Sequence, residues 1–452
     1  MPSHPLILAR GRRYAARVAP PLAAAFLAGA WNERRLVARG AQALEPRPRW
    51  LRAVARGVLG YYHEPPADRP RELAAVIERL VMASRPSGER VPRIRRWFLF
   101  EQEMAWHLRW PVAPIATSGA LARFLALEPG ELEWLADPRY LEQRADQEPL
   151  RNYRYAWIPR GTGHRVIERP KRRLKGAQRR VLHEILDWIP AHPAAYGFVP
   201  GRSARAGAEV HLRRPVVLRY DLEDFFASVE ARRVYGIFRT AGYPEAVAHT
   251  LTSLCTNALP VYVWGAVPRP GGRAGIAAHH RLGRRLATPH LPQGAPTSPA
   301  LANLCAFRLD RRLAGLAASL GATYTRYADD LVVSGAGWLA GRSGEIGAAV
   351  GTIAREEGFR LNERKTRVMP RSGRQRVCGV VVNERPNVPR REYDRLKAIL
   401  HNAAVRGPEG ENRAGVPDFR AHLLGRISWV ESLNPKRGGK LRRRFAAIDW
   451  DG

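Results

Sequence analysis

The chain has 452 residues, and its 75 lysines and arginines outnumber its 41 acidic residues to give a formal charge of +34. Apolar residues make up 45% of the chain, which excludes a wholly disordered protein and allows several domains with buried cores. So much positive charge favours a polyanionic partner, with nucleic acid first and an anionic membrane surface second. The cysteines, Cys255, Cys305 and Cys378, form no CxxC pair, which argues against a disulfide framework and a zinc ribbon and predicts a reducing compartment.

The first part of the chain shows helical patterns separated by proline-rich joints. The longest apolar run, residues 18–30, follows several arginines and superficially resembles a secretory signal. It is too short to span a bilayer, so we expect a buried helix entered through Pro20 and Pro21, a cytoplasmic protein and no membrane partner. Apolar residues at helical spacing predict another helix over 71–81. Together these patterns predict a helical extension over residues 1–112.

The pattern changes near residue 153. Residues 155–158 and 164–167 are predicted strands on either side of a glycine-rich turn, and 172–189 is a predicted helix. A β-rich run over 215–220 leads directly into Asp221.

Further strands are predicted downstream, and the rest of the chain is helical, basic and short. Residues 324–334 can form two strands around an Asp-Asp turn, and 377–382 is another predicted strand. The pattern therefore predicts an α+β body with helices before and after it.

Three carboxylates stand out because acidic residues are the minority charge. Asp221 ends an apolar strand, and Asp329 and Asp330 occupy a turn between apolar strands. Carboxylates about 4 Å apart repel by roughly 4 kcal/mol at an effective dielectric near 20, so such a cluster needs protons or metal between its members. Hard oxygen ligands suit Mg²⁺, and two such ions about 3.5–4 Å apart can activate a hydroxyl and stabilise leaving pyrophosphate.

Several motifs in order along the chain resemble those of the reverse transcriptase palm, fingers and palm end. Within that family the chain most resembles bacterial retron reverse transcriptases, especially the longer myxobacterial forms; the resemblance covers about residues 115–452 and does not extend to residues 1–110. The motifs that carry the resemblance are IPRGTGHR at 158–165, LKGAQ at 174–178, YGFVPGRS at 196–203, DLEDFF at 221–226, LPQGAPTSP at 291–299, YTRYADD at 324–330, LNERKT at 361–366 and VCGVVVN at 377–383.

The resemblance implies a right-hand polymerase of fingers, palm and thumb behind the helical N-terminal extension. The fingers with their N-terminal helices would span 113–215. The palm would span 216–385, with an insertion over about 231–290. A short, basic, helical thumb would span 386–452. No ribonuclease H or endonuclease domain is expected in this arrangement.

The resemblance also assigns the catalytic chemistry. Asp221, Asp329, Asp330 and the backbone carbonyl of Leu222 would be ligands of two Mg²⁺ ions. Lys365, a lysine in an arginine-rich chain, would donate a proton to pyrophosphate or contact a phosphate. The alternative for Lys365 is a salt-bridged surface residue.

A further set of residues would bind the incoming nucleotide. Phe226 lies where the family places an aromatic gate against the ribose 2′-OH; the alternative is that Phe226 and its neighbour Phe225 are both core aromatics. Gln293 and Gly294 would lie along the nucleotide, because glycine permits close backbone approach. The fingers arginines Arg160 and Arg165 flank a glycine-rich turn and could grip a triphosphate through bidentate contacts.

Contacts with RNA and primer are expected near the end of the chain. Gly379 would let the primer strand approach closely, and Cys378 beside it is expected to be a small buried residue rather than a nucleophile. In the basic stretch 435–445, Lys436, Arg437 and Lys440 would grip phosphates, with a solvated tail as the alternative. Residues 265–290, which include His279 and His280, are expected to form a flexible basic loop on the template rather than a metal site.

By resemblance, the activity is RNA-directed DNA polymerisation from dNTPs. The chain would bind a cognate structured non-coding RNA, prime from a guanosine 2′-OH and make a branched, RNA-linked single-stranded DNA. Host ribonuclease H would remove the copied RNA, and a neighbouring effector protein would complete an antiphage defence system. The alternatives are another reverse transcriptase branch, such as a group II intron maturase, or a catalytically silent RNA-binding protein with the same fold.

Overall fold

A computed structural model describes residues 5–84, 90–105, 109–145, 147–160, 163–267 and 272–450. The chain forms two compact units, and each is described by itself. The first comprises Met1–Ile158, Arg165–Ile189 and Ala231–Val267, and the second comprises Pro159–His164, Pro190–Glu230 and Pro268–Gly452. Helices and strands are mixed in both, so the predicted α+β class is confirmed.

The first unit begins with a helical bundle, as the apolar spacing predicts. Helix α1 packs against α2 and α4, and α3 packs against α2 and α4. Two short strands, β1 after α2 and β2 after α4, pair antiparallel with each other. The bounds are α1 (Pro5–Leu27), α2 (Glu33–Ala43), β1 (Leu44–Glu45), α3 (Leu51–Tyr61), α4 (Pro70–Ser84) and β2 (Arg93–Ile94).

The apolar run at 18–30 is mostly the buried second half of α1, which agrees with the expected buried helix. The helix is not entered at Pro20 and Pro21, however, because both prolines lie inside it. Each interior proline removes a backbone hydrogen bond. Leu22 and Phe26 are fully buried in the bundle core, and burial of each such side chain contributes about 1.5–3 kcal/mol, which offsets that loss.

The next elements follow the predicted order. Strands β3 and β4 pair in a two-stranded sheet, which confirms the predicted hairpin. Thr117 caps α5, since its hydroxyl accepts a hydrogen bond from the backbone N–H of Ala120. The bounds are α5 (Ser118–Leu125), α6 (Pro129–Ala136), β3 (Tyr153–Arg160), β4 (Gly163–Pro170) and α7 (Arg172–Glu184), which ends before the predicted residue 189 in a 3-10 turn.

The remaining elements include the main sheet and the last helices. In chain order they are α8 (Ala204–Glu209), β5 (Val216–Asp221), α9 (Ala231–Thr240), α10 (Glu245–Cys255), α11 (Val261–Gly265), α12 (Arg273–Leu286), α13 (Ser298–Cys305), α14 (Phe307–Ser319), β6 (Thr323–Tyr327), β7 (Asp330–Gly335), α15 (Ser343–Glu356), β8 (Arg367–Pro370), β9 (Arg376–Val377), β10 (Val380–Val381), α16 (Arg390–Arg406), α17 (Phe419–Leu433) and α18 (Pro435–Ala446).

A four-stranded antiparallel sheet, in the order β6-β7-β5-β8, forms the centre of the second unit. One face contributes Val217 and Val332 to a core cluster that also contains Leu400, Ile427 and Leu441 from the last three helices. These helices therefore pack as part of the second unit. The alternative of a solvated tail over 435–445 is wrong, since α18 buries Leu441 in that core.

Two local predictions differ from the structure. Residues 377–382 are not one strand but a tight hairpin, β9 and β10, whose turn residues Cys378 and Gly379 have φ of 50° and 82°. Two successive residues with positive φ reverse the chain instead of extending it. The expected flexible loop over 265–290 contains the helix α12 in its described part.

No helix among the described residues combines the length and apolar character needed to cross a membrane.

Candidate active site

The register of the main sheet brings two of the predicted carboxylates together. Asp221, the last residue of β5, lies directly opposite Asp330, the first residue of β7. Directly opposed residues of an antiparallel pair have Cβ atoms about 4.5–5.5 Å apart on the same face. Two residues more than a hundred positions apart in sequence therefore lie side by side at the same end of two neighbouring strands.

Asp329 lies in the turn that joins β6 to β7. Its backbone carbonyl accepts a hydrogen bond from the N–H of Leu222 at 2.9 Å, which ties the turn to the end of β5. Ala328, the other turn residue, has φ of 54°, a conformation that favours glycine. All three predicted carboxylates, Asp221, Asp329 and Asp330, thus lie at the same end of the sheet, which we call the acidic edge.

Lys365 pairs with the first of these carboxylates. It ends a 3-10 turn, Glu363–Lys365, and its Nζ lies 2.7 Å and 2.8 Å from the two carboxylate oxygens of Asp221. Asp221 is 4% exposed, so the ammonium partly neutralises a buried charge. Lys365 therefore forms a salt bridge, which was the alternative to a catalytic role. Its partner, however, is a predicted catalytic carboxylate.

Arg219 holds Asp330 and was missed by the sequence analysis. Its Nη2 lies 2.6 Å and 2.8 Å from the two oxygens of Asp330, and its Nε lies 3.1 Å from the first. Burial raises the pKa of Asp330, Arg219 opposes that rise, and the charges of Asp329 and Asp221 add to it. The sequence does contain a sign of this role, because Arg219 is the one arginine in an otherwise apolar strand. It lies two residues before Asp221, and this spacing places both side chains on the same face of the sheet.

A fully buried arginine, Arg326, also fixes the Asp-Asp turn. The guanidinium of Arg326 donates to both oxygens of Asp310 at 2.7 Å, and Arg326 and Asp310 are both 0% exposed. The same group donates to Asn303 at 2.9 Å and to the carbonyl of Ala328 at 3.1 Å. Removing one partner of such a pair costs about 3–5 kcal/mol, so the turn is held by a network that resists displacement.

The two aromatic residues after Asp221 occupy different environments. Phe225 is 5% exposed and packs against Phe359, with ring centroids 5.6 Å apart. Phe226 is half-buried, and its ring contacts that of Phe198 at 6.2 Å. Phe225 is therefore a core aromatic, as the alternative expected, whereas Phe226 is partly exposed to solvent.

The other predicted nucleotide-binding residues are spread over several elements. Gln293 and Gly294 lie in the turn before α13, where Gly294 is exposed and has φ of 137°, within the range that favours glycine. Arg165 is half-buried on β4. Arg160 is the last residue of β3, and its side chain lies outside the described residues, as do residues 161–162. The joint triphosphate grip of Arg160 and Arg165 remains a prediction.

The predicted RNA-binding residues differ in how they are placed. Lys436 and Lys440 are exposed on α18. Arg437 is half-buried, donates to Asn387 and lies 4.9 Å over the ring of Tyr393, so it also stabilises the fold.

Gly379 lies in the turn of the β9–β10 hairpin, and burial raises the pKa of the Cys378 thiol beside it to about 12. That pKa agrees with the expectation that Cys378 is not a nucleophile.

The chemistry of the donors at the acidic edge fits Mg²⁺, which prefers carboxylate and carbonyl oxygens. Among the described residues, no three His, Cys, Asp or Glu side chains are grouped so that they could hold an ion. Lys365 instead engages Asp221, and Arg219 engages Asp330. The ammonium of Lys365 stands where a cation would bind Asp221, so an ion would require Lys365 to move. His279 and His280 likewise belong to no such group.

Comparison with known proteins agrees with this geometry. The family described as reverse transcriptase (RNA-dependent DNA polymerase) matches residues 159–382. The retron Mx65 reverse transcriptase of Myxococcus xanthus is 43% identical over 307 residues, which are 68% of this chain and 67% of that protein. The retron Mx162 reverse transcriptase of the same organism is 36% identical over 341 residues, 71% of this chain and 64% of that protein. The retron Ec86 reverse transcriptase of Escherichia coli is 31% identical over 278 residues, 61% of this chain and 74% of that protein.

An antiparallel sheet with carboxylates at one edge, in a chain that matches this family across the sheet, defines a palm-fold polymerase of the reverse transcriptase class, an RNA-directed DNA polymerase. Residues 159–382 include every strand of that sheet. Within the class, the chain belongs to the retron reverse transcriptases.

Proposed function

We propose that this chain is a Mg²⁺-dependent polymerase that copies a structured non-coding RNA, encoded beside its own gene, into branched RNA-linked single-stranded DNA. The observation that carries the proposal is the pairing of Asp221 with Asp330 across β5 and β7, with Asp329 in the adjoining turn. Membership of the retron family supports the choice of an RNA template and a DNA product.

The acidic edge would hold two Mg²⁺ ions through Asp221, Asp329, Asp330 and the carbonyl of Leu222. When bound, Mg²⁺ supplies positive charge that activates the priming hydroxyl and stabilises charge on the phosphates. If Asp221 held an ion, Lys365 would be released from that carboxylate. Its ammonium would then be free to donate a proton to pyrophosphate or to bind a phosphate.

The residues around this edge would select and orient the nucleotide. Phe226 excludes a ribose 2′-OH with its accessible face. Gln293 and Gly294 lie along the dNTP, and Arg160 and Arg165 bind the triphosphate through guanidinium contacts.

In this arrangement the chain has fingers over 113–215, a palm over 216–385 and a thumb over 386–452, behind a helical extension. Gly379 lies at the primer strand, and Lys436, Arg437 and Lys440 lie on the nucleic-acid backbone. The high positive charge supports such backbone contacts.

The biological setting follows from the family. The protein acts in the cytoplasm on its cognate RNA, host ribonuclease H removes the copied RNA, and a neighbouring effector protein completes a system of antiphage defence. Retron relatives that match across most of the chain support this setting.

The test is production of the DNA in cells. The gene is expressed with its upstream non-coding region, and short RNA-linked DNA is extracted from cells carrying the wild type or the double variant Asp329→Asn with Asp330→Asn. We expect the DNA to disappear in the double variant and to persist in Asp394→Asn, a matched change at an exposed aspartate of α16. An unchanged yield in the double variant would show the proposal to be wrong.

One observation favours a second candidate, an RNA-binding protein that does not polymerise. Lys365 and Arg219 already neutralise two of the three carboxylates. Such a protein would protect its cognate RNA in cells and yield no linked DNA, with or without the aspartate changes. The same extraction therefore separates the two candidates.

A further inference from the structure

Phe198 combines an unfavourable backbone conformation with an exposed apolar side chain. Its φ is 59°, in the left-handed region that β-carbon-bearing residues avoid, and its side chain is 48% exposed. Burial in the core therefore does not account for this conformation. Strain of this kind persists only where the surroundings over-determine it, and it concentrates at functional sites.

The segment around Phe198 is fixed by hydrogen bonds within the second unit. Nη1 of Arg202 donates to the carbonyls of His192, Pro193 and Ala195. The N–H of Tyr196 donates to the carbonyl of Arg326 at 2.8 Å, next to the Asp-Asp turn. These contacts hold the loop against the edge of β6.

Gly197 brings this loop into direct contact with the turn. Asn303 donates to its carbonyl at 2.8 Å. A β-carbon at Gly197 would lie only 2.8 Å from the backbone nitrogen of Ala328, so no larger residue fits. The position of Phe198, the next residue, is therefore set relative to Asp329.

The ring of Phe198 joins two other aromatic rings at this place. Its centroid lies 6.2 Å from that of Phe226 and 6.1 Å from that of Tyr327. Phe226 is only half-buried, so the neighbours that limit its rotation matter. Its ring centroid lies 5.6 Å from that of Phe225 and 6.2 Å from that of Phe198.

We propose that Phe198 is a positioning residue for sugar selection: its strained backbone presents a ring that keeps Phe226 in the orientation that excludes a ribose 2′-OH. This inference rests on the proposed function, and it extends the sugar gate from one aromatic residue to the Phe198–Phe226 pair. Removing the ring lets Phe226 rotate away, so that ribonucleotides enter while deoxynucleotides still bind.

The informative variant is Phe198→Gly, because glycine adopts the observed φ without strain and lacks the ring. Primer extension with single dNTPs and rNTPs gives kcat and KM for each. We expect the preference for dNTP over rNTP to fall by about tenfold or more, through a higher kcat/KM for rNTP, with kcat/KM for dNTP within about threefold of wild type. Thermal stability should change little, because relief of the positive φ offsets the lost ring contacts and the greater entropy of the unfolded chain.

Two further variants separate positioning from general damage. Phe198→Asn also tolerates positive φ and should show the same loss of preference if the glycine variant folds poorly. Tyr140→Gly is the matched control: Tyr140 is 46% exposed with φ of 54°, but its ring is not part of the Phe198–Phe226 pair, and its loss should leave the preference unchanged.

The possible failures are distinguishable. If wild type extends primers and prefers dNTPs, and both Phe198 variants keep that preference, the inference is overturned while the proposed function stands. If Phe226→Ala loses the preference and the Phe198 variants do not, Phe226 acts alone. If wild type extends no primer, the proposed function fails and this inference with it.

Discussion

At the scale of single residues, the cations around the acidic edge are as informative as the carboxylates. Arg219 binds both oxygens of Asp330, and Lys365 binds both oxygens of Asp221. The three aspartates could be predicted from sequence because acidic residues are scarce and end apolar strands. Their partners could not, because the partner of a side chain depends on strand register and on loops that return from far along the chain.

The pairing of Arg219 with Asp330 predicts a measurable coupling. We expect the effects of Arg219→Gln and Asp330→Asn on the free energy of unfolding to be non-additive, with a coupling energy of about 1 kcal/mol. The coupling energy is no larger because the pair is partly exposed and solvent screens its charges. Arg219→Lys should recover only part of this, because an ammonium lacks the planar fork of the guanidinium.

Urea unfolding of the single and double variants measures the coupling. The exposed pair Arg390 and Asp394 is the control and should couple by no more than about 0.5 kcal/mol. Additive effects at Arg219 and Asp330 would mean that the pair does not hold in solution.

At the scale of elements, His211 connects the sheet to the segment after α8. Its ring nitrogens lie 2.7 Å from the hydroxyls of Ser334 on β7 and Thr325 on β6, and it is 0% exposed. Burial lowers the pKa of His211 to about 3. The ring therefore stays neutral in the folded sheet over a pH range in which a histidine in the unfolded chain is protonated.

This difference predicts a pH-dependent stability. The unfolded chain takes up the proton near an ordinary pKa of about 6.5 and the folded chain only near 3, so the free energy of unfolding falls as pH is lowered between them, by about 1.4 kcal/mol per pH unit. Urea unfolding at pH 7, 6 and 5 should show a shallower decline in His211→Gln than in wild type. Equal slopes in the two proteins would contradict the assignment.

Most elements could be predicted from sequence, and the exceptions have physical reasons. The strands around Asp221 and the Asp-Asp turn follow from their apolar runs. The hairpin at 377–382 reads as one strand because valines flank a Cys-Gly pair, and the positive φ of Cys378 is imposed by the surrounding fold. Helix α1 runs through Pro20 and Pro21 because tertiary burial overrides local propensity.

At the scale of the whole molecule, the charge of +34 implies binding that depends strongly on salt. Lys436 and Lys440 are exposed on α18 and are proposed to contact phosphates. Replacing both with Gln should reduce the magnitude of the negative slope of log K against log salt concentration by about 1.4 for a single-stranded RNA. Fluorescence anisotropy at several salt concentrations measures it.

The control for this measurement is Arg342→Gln, because Arg342 is exposed but already paired with Glu345. Its slope should match wild type. If the lysine variant also matches wild type, α18 does not lie on the RNA backbone. Sequence alone indicates a polyanionic partner, but it cannot tell which of many arginines and lysines are exposed and which, like Arg326, are buried in the fold.

The most direct test of the central claim is Mg²⁺-dependent extension of a DNA primer on an RNA template by the purified full-length chain. Wild type should extend the primer, Asp394→Asn should match it, and Asp329→Asn should be slower by about 10³-fold while unfolding at the same temperature. If Asp329→Asn extends the primer at the wild-type rate, the acidic edge of the sheet is not where polymerisation takes place.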